Sequence, residues 1–462
     1  MKVTLIGHAS VLVELDGARC LMDPVFQDPF EEGAVTSCPR REVFPARLPP
    51  IDVLILSHSH LDHFDIPTLA QLPRSCQVLC PKDHVLTYVL QQFGFTKINA
   101  AEPMTHLQLG TYDLLTTHSN VTNVVEFGVV FKDRSGVFWN QVDTVLAPKT
   151  IQAMRKKFPR IDLMFAMYAS QNFGFFDSKG AGFPHAMHQM NLNTVREVQP
   201  RVAVPGSAGF RFCGPFAWAN SFLFPVSRER FVRDLARVAP GVRTHLANPG
   251  DVFEIGPDGV AYQPAASELV RMVEDDTALL RYDPGAPVPP LTDPNPEGRT
   301  AKQLEHAVTR CFEELAAFVR GAWGQRDEVL DEYRRLRTSY AVEVVLPDGA
   351  LRCCRIGFGE QPEFLSGTVV PEADVVHSIA ASALFTWQGH HKSYFYLRGF
   401  SRKRSSAYEV SSTGQGVSVT AKAPRDLLEY YLNRKAKGAE MAVKDRLDQQ
   451  LRPYVQQPRR SL

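Results

Sequence analysis

The sequence predicts an α/β layered fold followed by a smaller α+β domain. Three observations carry this expectation. Segments of alternating hydrophobicity are interleaved with helical patterns over the first ~280 residues. A proline-dense stretch then interrupts the pattern: Tyr282–Glu297 holds Pro284, Pro287, Pro289, Pro290, Pro294 and Pro296, and proline fixes φ and removes a donor. The remainder opens with helical periodicity and closes on short strands. A chain of 462 residues is also long for one domain. The expected division is 1–280, a linker 281–298, and an accessory α+β domain 299–462.

The elements follow in order. Residues 2–6 and 10–15 alternate, Asp16-Gly17 makes a hairpin turn, and 18–22 returns to Asp23-Pro24. Buried strands are expected at Val53–Leu56 and Cys76–Cys80, then a helix over 83–93. Strands at 111–117, 123–132 and 136–140, a helix at 149–157, the apolar run Leu163–Met167, a helix at 191–198 and a strand Val202–Val204 complete the first part. In the second part helices are expected at 300–321 and 326–337, a hairpin around Pro347-Asp348-Gly349, a helix at 373–386, strands at 393–400, 407–411 and 416–421, and a helix at 424–435. His390-His391 reads as a polar loop and Arg398–Arg404 as a charged turn.

Composition excludes several classes. Hydrophobic residues at 44% and charged residues at 22% are globular values, so wholesale disorder is out. A net charge of +1 argues against bulk electrostatic coating of nucleic acid or an anionic membrane. No apolar run reaches the ~20 residues of a membrane span, and the opening residues have no secretory signal pattern. The 8 Cys include no Cys-x-x-Cys pair, which reads as reduced thiols in a cytoplasmic protein. A homo-oligomer is compatible with all of this.

The chemistry concentrates in Ser57-His58-Ser59-His60-Leu61-Asp62-His63, directly after the strand VLIL. Imidazoles crowded at a strand end cost desolvation and gain little packing, whereas imidazole and carboxylate are what zinc, iron or manganese need. His58 and His60 can reach one metal from an extended loop. Asp62 and His63, where the chain turns, can face a second. His118 follows the strand YDLLTT and Asp143 follows another strand; both suit further ligands.

On these residues the chain resembles the metallo-β-lactamase superfamily. The opening LIGHASVLVELDGARCLMDPVF is similar to its ascorbate-6-phosphate-lactonase-like branch, over roughly residues 1–250. The resemblance implies a four-layer αβ/βα sandwich with two divalent metal ions, zinc in preference to iron or manganese, at one edge. Carried over, His58, His60 and His118 would bind the first metal, Asp62 and His63 the second, and Asp143 would bridge. His8 would lie beside the site. One departure is visible. Many members of that branch have a last metal-binding histidine in a Pro-x-His-x-Gly segment. Here Pro205-Gly206-Ser207-Ala208-Gly209-Phe210 puts Ser207 at that place, and serine is a poor ligand. His188, His185 or water could replace it.

The segment around it is similar to a second family, the CMP-N-acetylneuraminate hydroxylases, through Gly182-Phe183-Pro184, Gln199-Pro200-Arg201 and Ala208–Phe212. Those proteins add a Rieske iron–sulfur domain, and no Cys here has the spacing to a His that a Rieske centre needs.

Three function classes follow. The first is a binuclear metal-dependent hydrolase of an ester, lactone, amide or phosphate bond, with Asp62, His8 and His188 as catalytic candidates. Tyr168, His185 and Arg211 would contact a small, anionic substrate. The second is a non-haem diiron oxygenase on the same scaffold, served by a separate redox partner. The third is a non-catalytic binding protein with a degraded site.

Overall fold

The computed structural model describes residues 1–369, 372–389, 392–414, 416–435 and 439–455; the His390-His391 pair lies outside them. The chain forms two compact units. The first contains Met1–Asn172, Phe183–Pro284 and the described residues from Gln450; the second contains Phe173–Gly182 and Gly285–Gln449. Among the described residues no helix is long and apolar enough to cross a membrane.

The first unit is built on two facing sheets. Its strands run β1 (Lys2–Gly7), β2 (Ser10–Leu15), β3 (Ala18–Met22), β4 (Val35–Ser37), β5 (Arg40–Val43), β6 (Val53–Ile55), β7 (Gln77–Pro81), β8 (Ile98–Ala101), β9 (His106–Leu109) and β10 (Tyr112–His118). They continue with β11 (Phe127–Asp133), β12 (Gly136–Asn140), β13 (Leu163–Met167), β14 (Val202–Gly206), β15 (Phe210–Phe212), β16 (Arg243–Thr244), β17 (Val252–Gly256), β18 (Gly259–Gln263) and β19 (Val270–Glu274). One sheet has the order β18-β17-β1-β2-β3-β6-β7-β8 and the other β16-β14-β13-β12-β11-β10-β9.

The period-2 pattern sets which residues meet between the sheets. Val3 and Leu5, Val11 and Val13, Cys20 and Met22, Val53 and Ile55 point inward from the first sheet. Phe127, Val129 and Phe131, with Phe138, Phe165 and Val204, meet them from the second. Helices α1 (Ile66–Gln71) and α2 (His84–Gln92) connect the parallel strands β6, β7 and β8. Helices α3 (Pro148–Lys157) and α4 (His185–Val198) do the same for β12, β13 and β14. Parallel connections need such crossovers, and they give helix layers outside both sheets. The result is the four-layer αβ/βα sandwich.

The second unit has a five-stranded sheet. Its strands β20 (Ser339–Val345), β21 (Leu351–Phe358), β22 (Pro362–Gly367), β23 (Val375–Ala380) and β24 (Ser401–Ser405) take the order β22-β21-β20-β23-β24. Helices Ala301–Ala322 and Glu328–Leu336 precede it. Two sequence expectations fail here. The helix expected over 373–386 is a strand at Val375–Ala380 before a helix at Ala381–Gln388. The β-branched run Val-Val-His-Ser-Ile is fully buried between β20 and β24, where it pairs on both edges, and this tertiary setting overrides the local pattern. The strand expected over 393–400 is a short helix, Tyr394–Arg398, started by a Ser393 side-chain cap.

Candidate metal centre

The C-terminal ends of β6, β10 and β12 carry the site, the usual place for function in an open α/β sheet. After β6 the chain leaves the sheet and turns sharply, with the His63 and Phe64 amides both donating to the His60 carbonyl (3.0 and 2.9 Å). That turn folds Asp62 and His63 back towards His58. The rings of His58 and His63 lie 4.2 Å apart, and those of His58 and His60 4.6 Å.

Hydrogen bonds fix which nitrogens face inward. The Ser57 hydroxyl donates to Asp23 Oδ2 at 2.6 Å, so at 2.9 Å from His58 Nδ1 it accepts. His58 Nε2 is left to the site, 3.0 Å from His60 Nδ1. His63 Nδ1 donates to Asp23 Oδ2 at 3.0 Å, which turns Nε2 towards Asp143 Oδ2 (3.4 Å) and Asp62 Oδ2 (3.6 Å). A carboxylate holding one imidazole nitrogen so that the other can ligate is a common metal-site support. Asp23 also accepts from the Ser57 amide at 2.7 Å, and it is fully buried.

Asp143 sits in a loop braced from within. Gln141 donates to the Thr144 carbonyl at 2.8 Å and accepts from the Met167 amide at 3.1 Å. The Thr144 hydroxyl returns a bond to the Gln141 carbonyl at 2.7 Å. The Ser207 hydroxyl, from the turn after β14, donates to the Val142 carbonyl at 3.2 Å.

Two sets of donor atoms converge within 4.8 Å of one another: His58, His63 and Asp143; and His8, Asp62 and His63. Electrostatics follow this crowding. Burial, with His63 and His60 beside it, holds His58 well below the usual histidine range. Burial also opposes charge on His63, but Asp62 and Asp143 outweigh it and raise that ring well above its usual value. Both carboxyls are held far below their ordinary range by His63, against the effect of burial. An ionised carboxylate pair around a neutral His58 is the donor set a divalent cation takes. Buried ring nitrogens without a hydrogen-bond partner, His63 Nε2 and His118 Nδ1, fit the same reading.

The other expected residues are placed as follows. His118 ends β10 opposite Phe127, whose amide donates to the Ser57 carbonyl at 3.2 Å; His118 belongs to neither converging set. His188, on α4, bonds through Nε2 to Asp234 at 3.0 Å. His185 is exposed at the start of α4, against the ring of Phe183. Tyr168 is buried, its hydroxyl donating to the Ala208 carbonyl at 3.4 Å, and burial pushes its phenol up. Arg211 is paired with Asp276 at 2.5 Å. None of these last four enters the converging sets. Asp23, Ser57 and Gln141 are supports that sequence reasoning passed over; Asp23-Pro24 reads there only as a strand end.

Residues 2–148 match the model of the beta-lactamase superfamily domain. Over these residues the chain is similar to that superfamily. Among the similar proteins is a UPF0173 metal-dependent hydrolase of Exiguobacterium sp., 40% identical over 96 residues, covering 21% of this chain and 38% of that protein. An uncharacterized protein of Mycobacterium tuberculosis is 39% identical over 75 residues, 16% of this chain and 20% of that one. The matched stretch therefore spans well under half of these relatives. An isothiocyanate hydrolase from Delia radicum gut bacteria is similar in structure, with a TM-score of 0.42 at 15% identity over 55% of this chain and 100% of that one.

Proposed function

We propose that the first unit is a binuclear metal-dependent hydrolase. The observation that carries the reading is the crowding of three imidazoles and two carboxylates into two overlapping donor sets, in which His63 serves one cation and leaves the remaining donors for the other. In this reading His58, His60 and His118 would hold one divalent cation and Asp62 and His63 the other, with Asp143 as a further ligand. Cations held there would supply a bound water of lowered pKa and polarise an ester, lactone, amide or phosphate oxygen.

The protein's own groups have separable tasks. Asp23 fixes the tautomer of His63, and Ser57 fixes that of His58. Gln141 and Thr144 hold the Asp143 carboxylate at the edge of the cluster. Asp62, with Oδ2 3.2 Å from His8 Nε2 and 3.6 Å from His63 Nε2, is the carboxylate assigned to accept a proton from an attacking water.

The test is a panel of simple esters, lactones, anilides and phosphomonoesters, assayed with the protein as purified, after chelation, and after return of zinc, iron or manganese. Turnover of one bond class that is lost on chelation and restored by metal is expected. Turnover that needs dioxygen and a reductant instead of water would replace hydrolysis with the oxygenase reading.

A further inference from the structure

We propose that His8 is a ligand of the second metal and fills the place that Ser207 leaves vacant. The proposal rests on the binuclear reading above and adds a residue to its ligand set.

Four observations point the same way. His8 is buried, and neither ring nitrogen has a hydrogen-bond partner. Its Nε2 is 3.2 Å from Asp62 Oδ2 yet is not aligned for a hydrogen bond. Two donors that share a proton lie along one line, while two that share a cation converge on a point beside them. His8, Asp62 and His63 do converge, with their donor atoms within 4.8 Å of one another.

The backbone is committed to this placement. His8 has φ +50, a left-handed conformation that a residue with a Cβ rarely adopts. The turn after β14 holds it there. A Cβ on Gly209 would stand 3.0 Å from both Cα and N of His8, so only glycine lets this turn approach so closely. Phe30 and Phe210 pack against the ring at 6.0 and 5.3 Å. The segment that carries Ser207 thus supports a histidine from β1–β2, while Ser207 itself turns its hydroxyl to the Val142 carbonyl. A bare His8–Asp62 ion pair would leave His8 Nδ1 and the strained backbone without a purpose.

The experiment uses the full-length protein stripped of metal and titrated with zinc alone, with bound metal counted by elemental analysis after dialysis and the cobalt-substituted form read by its visible spectrum. Wild type is expected to bind two equivalents. His8→Ala is expected to keep one tight equivalent and to bind the second at least about tenfold more weakly. His8→Ala combined with Ser207→His is expected to regain the second equivalent, because it returns an imidazole from the neighbouring segment. Circular dichroism establishes folding, and if His8→Ala does not fold, His8→Gln carries the test. Two equivalents bound by a folded His8 variant at wild-type affinity overturn the proposal and leave the binuclear reading intact. A wild type that binds no zinc overturns both.

Discussion

Replacing Asp23 with asparagine tests how the site is built. The carboxylate accepts three bonds, from the Ser57 amide at 2.7 Å, the Ser57 hydroxyl at 2.6 Å and His63 Nδ1 at 3.0 Å. It has no contact with solvent. An amide of the same shape has one acceptor oxygen, so its NH₂ must face either the Ser57 amide, at the place of Oδ1, or both the Ser57 hydroxyl and the His63 N–H, at the place of Oδ2. Hydrogen bonds to a charged group contribute about 1.5–3 kcal/mol each, and at least one such bond is lost. In the second placement that loss falls on the orientation of His63, the residue common to both converging donor sets, and in either placement His63 loses its charged acceptor. Weakening of metal binding by about 10–100-fold is therefore expected, as for other carboxylates behind a ligating imidazole. Competition with a chromophoric chelator measures the affinity, and thermal unfolding of the metal-free protein measures the fold separately. Unchanged metal affinity in a folded Asp23→Asn variant would refute the claim that Asp23 positions His63.

Glu126 is 6% exposed, and burial, with Asp143 adding to it, raises its carboxyl from 4.5 to about 7. The folded state thus holds a proton that the unfolded state releases between those values, so stability from this group is full below pH 4.5 and is lost as pH rises through about 7. Urea unfolding should show wild type losing up to about 3 kcal/mol relative to Glu126→Gln across that window; parallel curves for the two proteins would contradict it. Phe165, packed between Phe138 at 5.1 Å and Phe253 at 5.7 Å, should cost about 3–5 kcal/mol when cut to alanine, measured by denaturant midpoint. In Gly128→Ala the new Cβ would stand 2.8 Å from Thr117 Oγ1 and 2.9 and 3.0 Å from the Asn140 and Gln141 carbonyls. About 1–3 kcal/mol of destabilisation is expected, with weaker metal binding because those carbonyls lead into Asp143; a variant as stable and as tightly metallated as wild type would count against the close packing.

What the sequence reveals depends on range. The motif His58–His63 is legible because its donors are crowded into one turn, and the alternating strands around Val3, Val11 and Cys20 are legible because a two-residue period is a local property. The role of Asp23 is not legible in that way. Its partners lie 34 and 40 positions away, and only the pairing of β3 with β6 brings them together. The strand Val252–Gly256 is similar: it closes against β1, with Lys2 opposite Glu254, at the far end of the unit. In the second unit, helix and strand were exchanged at 375–380 because a short apolar run carries no period of its own, and burial between two neighbours decides it.

The central claim is a binuclear site, and the most direct measurement is the metal content per chain of protein purified without added metal, compared with His58→Ala and Asp143→Ala. Two divalent ions in wild type and fewer than two in each folded variant is the result the account requires. Full occupancy in both folded variants would contradict it.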